Sequence, residues 1–547
     1  MQEQERTISR LDIAFARFLG QRCKLNAEDR PLFENIVMRL SHEQSQGHSC
    51  IQLAEKERGL ALASGLAAVP SQSMAPLPLV LERNRLYLHR YWDYESRLAR
   101  QIKAMARTKP VVEGLDAALE RYFPALSDEI DWQREAARMA LERGFSIITG
   151  GPGTGKTTTV VKILALMQDL APEPLLIALA APTGKAAMRL QESIGKNKAA
   201  LPCSKSVKQL IPETVTTLHR LLGAMPPSPY FRHNAGKPLI HDLVVVDEAS
   251  MVDLALMSKL ADALKPGAGL ILLGDKDQLA SVESGAVLAD LTAILPDCTL
   301  ELKKSHRFDG NIKKLAAAVN QQQADVAWQV LQGEDRNITL LDQEPADYVA
   351  GQQVDYLQLI KSSATFDTIY RAFSRFQALC SNRYGKNSVA EINHLVEQKL
   401  AAQKLIHVSG LWYVGRPVMV TQNNPALQLY NGDIGICLPD KEQGGKLMVF
   451  FQRPDGSVKK YLPARVPHCE TVFAMTIHKS QGSEFEEVLI ALLDVVNPVL
   501  TKELLYTAIT RARKTVKLVA DEAVFAATVG RRVERITGLA DKFKSEP

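Results

Sequence analysis

The sequence predicts an α/β chain: two domains built on parallel sheets, the second interrupted by a β insertion, with a helical region in front. Three observations carry that expectation. Short apolar runs at 145–149, 175–181, 243–246 and 270–273 are bounded by Gly, Pro or Asp and lack the alternation of half-exposed strands. Such runs suit parallel strands buried on both faces, with helices between them. From about 405 to 469 the texture changes to short strands (417–420, 434–436, 447–451) separated by NGD, GG and PDG turn signals, as in a small antiparallel barrel. Runs of the buried type then return at 488–493 and 515–519. At 547 residues, 46% apolar and 23% charged, the chain is long enough for several cores and too apolar for wholesale disorder.

Taken in order, the N-terminus MQEQERTISRLD is charged where a signal peptide needs an apolar core. Residues 11–19 carry apolar side chains at helical spacing. The uncharged stretch 59–81 contains Pro70, Pro76 and Pro78, which makes it a loop or linker and a poor membrane span. A basic helix is expected over 95–107, where Arg97, Arg100, Lys103 and Arg107 share one face, either solvated or used as a docking or nucleic-acid surface. The seven cysteines are scattered, with no metal-like spacing, which fits a reducing, cytoplasmic setting. A net charge of +5 permits a polyanionic partner without demanding one.

The run at 145–149 is followed by Gly150-Gly151-Pro152-Gly153-Thr154-Gly155-Lys156-Thr157-Thr158 and then by a helical apolar stripe. That is the strand, glycine loop and helix of a phosphate-binding loop. Its backbone N–H groups wrap phosphates, Lys156 reaches the β- and γ-phosphates, and Thr157 offers a hydroxyl to Mg²⁺. The run at 243–246 delivers Asp247 and Glu248 to a strand end, the first to hold Mg²⁺ and the second to polarise an attacking water, which points to hydrolysis. Gln278 after the run at 270–273 is placed to sense a γ-phosphate, and Arg307 and Arg511 suit charge on a transferring phosphoryl group.

The ordered set GGPGTGKT, AAPTGKAAMRL, TTLHRLLG, VVDEAS, GDKDQL, KKSHRF, AMTIHKSQGSEFEEV and LLYTAITRARK resembles superfamily 1 helicases of the 5′→3′ class. With DEIDWQ before the loop and NGDIG at 431–435, the match extends to the RecD family, the alpha subunits of bacterial exodeoxyribonuclease V (RecBCD). The resemblance implies two RecA-like P-loop NTPase motor domains, a helical N-terminal domain and a small SH3-like β-barrel insertion. Expected boundaries are 1–110 for a docking domain, 111–300 for the first motor with a hairpin near 224–240, 301–404 and 471–547 for the second motor, and 405–470 for the insertion. It implies ATP and Mg²⁺, with Gln133 reading adenine, Glu484 near the ribose and phosphates, and His306 where relatives stack a tyrosine on the base. It implies a single-strand channel lined by Pro182, Thr183, Lys185, Thr217, His219, Thr476, His478, Lys479 and Ser480. Residues 224–240 match a separation pin, with Tyr230 or Phe231 at its tip, or form an ordinary proline-rich loop.

RecD resemblance further implies single-stranded and duplex-end DNA as the track and a heterotrimer with RecB-like and RecC-like subunits. The nuclease centre would then sit on a partner, because the motor region carries no separate cluster of carboxylates with lysine. The implied work is double-strand break repair by homologous recombination and degradation of linear duplex DNA. Three alternatives stand beside it: a stand-alone RecD-like helicase, a non-hydrolysing assembly adaptor, and an RNA track.

Overall fold

A computed structural model describes residues 8–70, 77–124, 130–281, 283–304, 310–333, 335–424, 426–453, 456–466 and 468–544. Two parallel sheets organise it. The first has six strands in the order Thr299–Glu301, Phe145–Thr149, Gly269–Gly274, Leu243–Val246, Ile177–Ala181, Val215–Thr217. Its central strands are buried throughout, as FSIIT and LVVV require when helices cover both faces. The second has five strands in the order Ile338–Leu340, Ala512–Val519, Phe485–Ala491, Phe376–Cys380, Ala474–Thr476. The strands expected at 488–493 and 515–519 therefore begin three residues earlier, because pairing of Phe485 with Ala512 extends the ladder into the polar part of each segment.

Between Phe376–Cys380 and Ala474–Thr476 the chain leaves the second sheet and builds a five-stranded antiparallel one. Its order is Val458–Tyr461, Lys446–Gln452, Ile434–Asp440, Pro417–Val420, Cys469–Thr471. Val418, Val420, Cys437, Val449 and Phe451 give it a core of its own. Among the described residues no ladder joins its two end strands.

The N-terminal unit adds a four-stranded sheet to its helices Arg10–Gly20, Arg30–Ser45 and Glu55–Ala63. Much of the stretch expected to be a linker at 59–81 is structured: it completes the last of these helices and supplies Ala67–Ala68 and Leu79–Glu82. Leu79, Leu81 and Leu86 bury themselves against Phe33, Val37 and Leu40, and this burial outweighs the prolines nearby.

Two expected boundaries move. The helix His89–Arg107 belongs to the first motor: Leu98, Ala99 and Ile102 share a core with Phe145, Val244 and Leu270. Its Arg97 is consumed by Asp262 at 2.6 Å and by Asp93 at 2.9 Å, so the basic face is partly an internal seam. The C-terminal stretch also leaves the second motor, to which 471–547 was expected to belong. Arg531 and Val533 still bond to the start of the helix Lys502–Ile509, through Lys502 N and Glu503 Oε2. Arg535 then donates to the carbonyls of Ser281, Glu283 and Gly285 in the first motor. Ile536, Gly538 and Lys542 bond to His48, Glu95 and Glu82, so the tail fastens the N-terminal unit onto both motors.

Candidate active site between the two sheets

The phosphate loop leaves the strand Phe145–Thr149 and enters the helix Lys156–Leu170. Gly153 and Gly155 sit at φ 79° and 83°, left-handed conformations that glycine adopts without strain. Lys156 Nζ folds over the loop and donates to the carbonyls of Gly150 at 2.5 Å and Gly151 at 3.1 Å. Thr157 and Thr158 lie in the first turn of the helix. Gln133 opens the helix Trp132–Glu142, which Asp131 caps, and its amide lies against the loop: a β-carbon on Gly155 would stand 2.6 Å from Gln133 Nε2.

Two carboxyls face this lysine from neighbouring strand ends. Burial pushes Asp247 and Asp275 up to about 6; Glu248 adds to the effect at Asp247, and Lys156 opposes it at both. Glu248 holds φ 51°, costly for a residue with a β-carbon, and its N–H donates to Asp247 Oδ1 at 2.9 Å.

The second sheet seats its helix Lys502–Ile509 directly on these strand ends. Tyr506 Oη donates to Asp275 Oδ2 at 3.1 Å, and so does Gln278 Nε2. Arg511 Nη2 donates to Gln278 Oε1 at 2.6 Å. Leu279 N bonds to Thr507 Oγ1 and Gln481 Nε2 to Leu279 O, both at 2.8 Å. Arg511 is buried, which pulls its guanidinium downward, while Glu248 across the interface favours the charged form. Glu484 bonds to Arg189 and Arg513. His306 and Arg307 lie outside the described residues.

Of the residues expected along a DNA channel, Thr183, Thr217 and Thr476 share one local structure. Each follows or ends a strand and caps the turn beyond it, accepting from Ala186 N at 3.2 Å, Arg220 N at 3.3 Å and Lys479 N at 3.4 Å. Each therefore presents the free N–H groups of a helical start at a strand's carboxyl end. Pro182 precedes the first cap. Burial, with Arg189 close by, pushes Lys185 down to about 8, and Asp433 opposes that shift. His478 is pulled down by burial. Lys479 pairs with Glu470 at 2.5 Å.

Ser480 departs from the expectation. It is fully buried and its hydroxyl donates to Ile477 O at 2.7 Å, so it closes the turn and does not line a channel. His219 is exposed, with its ring 5.7 Å from that of Phe231. Phe231 belongs to the loop after this helix, where bridges Ala224 to Phe231 and Asn234 to Lys237 form narrow hairpin turns. Tyr430, in the connection between Pro417–Val420 and Ile434–Asp440, packs beside Gly184, bringing that connection against the same turn as Thr183 and Lys185.

Comparison with known proteins adds to this geometry. Family profiles match in three places: the N-terminal domain of RecBCD enzyme subunit RecD at 4–74, an AAA domain at 133–284 and a UvrD-like helicase C-terminal domain at 471–519. The chain is 40% identical to the RecBCD enzyme subunit RecD of Mycolicibacterium smegmatis, over 88% of this chain and 86% of that protein. The chain belongs to the RecD family of ATP-dependent DNA helicases.

A second family member, RecBCD enzyme subunit RecD of Haemophilus influenzae, is 35% identical over 84% of this chain and 80% of its own length. The ATP-dependent RecD2 DNA helicase of Deinococcus radiodurans is 32% identical over 78% of this chain and 54% of its own. Within this RecD-family site, sequence reasoning missed two residues. Asp275 was visible as an acid one step past a buried strand, but Tyr506 acquires its meaning only from its partner across the interface.

Proposed function

We propose that this helicase is an ATP-driven translocase that moves 5′→3′ along single-stranded DNA and unwinds duplex from its ends. The reading is carried by the contacts from Arg511 through Gln278 and Asp275 to Tyr506, which tie the second motor to strand ends beside the phosphate loop. A catalytic arginine that belongs to one motor and a phosphate loop that belongs to the other make turnover depend on closure of the cleft.

In this reading Gln133 reads adenine, and the loop from Gly150 to Thr158 wraps the phosphates. Lys156 neutralises the β- and γ-phosphates, and Glu248 orients the attacking water. Gln278 senses the γ-phosphate, and Arg511 and Arg307 stabilise the charge that develops on it. His306 stacks on the base, and Glu484 lies near the ribose. Magnesium fits the donors: Mg²⁺ takes one or two protein oxygens beside phosphates and water, and Thr157 and Asp247 offer one each. The upward push on buried Asp247 means that a neighbouring cation would ionise it. Thr157 and Asp247 would hold the ion, which would supply positive charge to offset that of the nucleotide's phosphates.

The capped turns at Thr183, Thr217 and Thr476, with Pro182, Lys185, His219, His478 and Lys479, suit a grip on phosphates that ignores base identity. We assign the chain a heterotrimer with RecB-like and RecC-like subunits, working in the cytoplasm on broken duplex ends. Its N-terminal helices support docking, with Leu11, Phe18 and Leu32 exposed at 74%, 49% and 57%.

A Lys156→Gln variant tests the site. It should fold and bind DNA, yet lose DNA-stimulated ATP hydrolysis by about 10²-fold or more and fail to open a 5′-tailed duplex. Unchanged turnover would remove the assignment, and opening only from a 3′ tail would overturn the polarity.

A further inference from the structure

An ion cluster crosses between the motors at Glu484. Arg189 lies in the helix Gly184–Lys198, four residues after Lys185 and so on the same face. Its Nη1 donates to Glu484 Oε1 at 3.3 Å, while Glu484 Oε2 accepts from both Nε and Nη2 of Arg513, at 3.1 and 3.0 Å. The Glu484 side chain is 14% exposed and that of Arg189 33%, shielded enough for the pair to resist screening.

Glu484 is flanked by two grips on Arg511. Ser483 O accepts from Arg511 Nη1 at 3.2 Å, and Phe485 N donates to Arg511 O at 2.9 Å. Arg189 therefore holds the segment that holds Arg511, from the second turn of a helix whose first turn carries Lys185 and is capped by Thr183. A strand that shifts the start of this helix moves Arg189 with it, because packed helices move as units.

We propose that Arg189 is a positioning residue that carries strand occupancy at the Thr183–Lys185 turn through Glu484 to Arg511. The inference rests on the translocase reading above. Its chemistry needs a positive charge: glutamine, neutral and shorter, loses the attraction to Glu484, whereas lysine keeps the charge on a long side chain.

The test uses the full chain with Arg189→Gln and Arg189→Lys, measuring ATP turnover with and without a saturating oligothymidylate. Melting midpoint and nucleotide-free DNA affinity are measured alongside. Arg189→Gln should lower the DNA-stimulated kcat by roughly 5- to 100-fold, the range of ordinary coupling energies. Basal turnover, DNA affinity and melting should stay at wild-type values, and Arg189→Lys should recover most of the loss. Wild-type stimulation in Arg189→Gln overturns the proposal. So does a loss confined to DNA affinity, which would make Arg189 a simple strand contact, or an equal loss of basal and stimulated rates that lysine fails to rescue. If the wild-type chain itself hydrolyses ATP without stimulation by DNA, the translocase reading fails first; stimulation in both proteins alike sinks only the role of Arg189.

Discussion

Glu95 is a carboxyl with no exposed surface. Oε1 accepts from Ser49 Oγ and Gly538 N, while Oε2 has no partner among the described residues. Burial pushes it from 4.5 up to about 7, with Asp290 adding to the shift and Lys542 opposing it. The native state thus holds this proton more tightly than the unfolded chain does. The contribution is full below about 4.5 and is lost as pH rises through about 7, at a cost of about 3 kcal/mol once the carboxyl is charged. Glu95→Gln should raise the melting midpoint at pH 8 more than at pH 5 and flatten its pH dependence between those values. Residues of the phosphate loop were legible because their chemistry is consecutive in the chain. Ser480 was misread for the opposite reason: a motif position gives the neighbourhood, but the turn decides which way a hydroxyl faces.

At the scale of elements, the loop at 224–240 divides the work between its two aromatic residues. Phe231 is anchored, its ring against His219 and under Lys259 Nζ at 5.3 Å, whereas Tyr230 is 73% exposed. Tyr230→Ala should slow duplex unwinding several-fold while leaving DNA-stimulated ATP hydrolysis intact, consistent with stacking worth about 1–3 kcal/mol per base. Phe231→Ala should instead destabilise the hairpin by about 1–2 kcal/mol, seen as a lower melting midpoint. Equal unwinding by Tyr230→Ala would leave the hairpin without a strand-separating role. Buried strands such as Leu243–Val246 were readable because a short, β-branched apolar run bounded by acidic residues suits a strand covered on both faces. Strands of three residues at sheet edges, such as Val215–Thr217 and Thr299–Glu301, were not, since they are too short to display a period.

The whole molecule is two parallel sheets facing each other across the strand ends, with the antiparallel sheet at one side and the N-terminal unit strapped on by the tail. That strap was invisible in the sequence, because residues 531–544 carry no pattern of their own and take their meaning from Glu82, Glu95 and the carbonyls around Gly285. A chain ending at Gly530 should keep nucleotide binding at the loop yet become protease-sensitive within its first 110 residues, measured by limited digestion and mass spectrometry. Resistance equal to that of the full chain would mean that the strap holds nothing. The arrangement also orders events in time. Residues 535–544 leave the ribosome after both motor sheets have been made, so the contacts that fasten the N-terminal unit form last although that unit is synthesised first. The fastening of that unit thus reports that both motors have been synthesised.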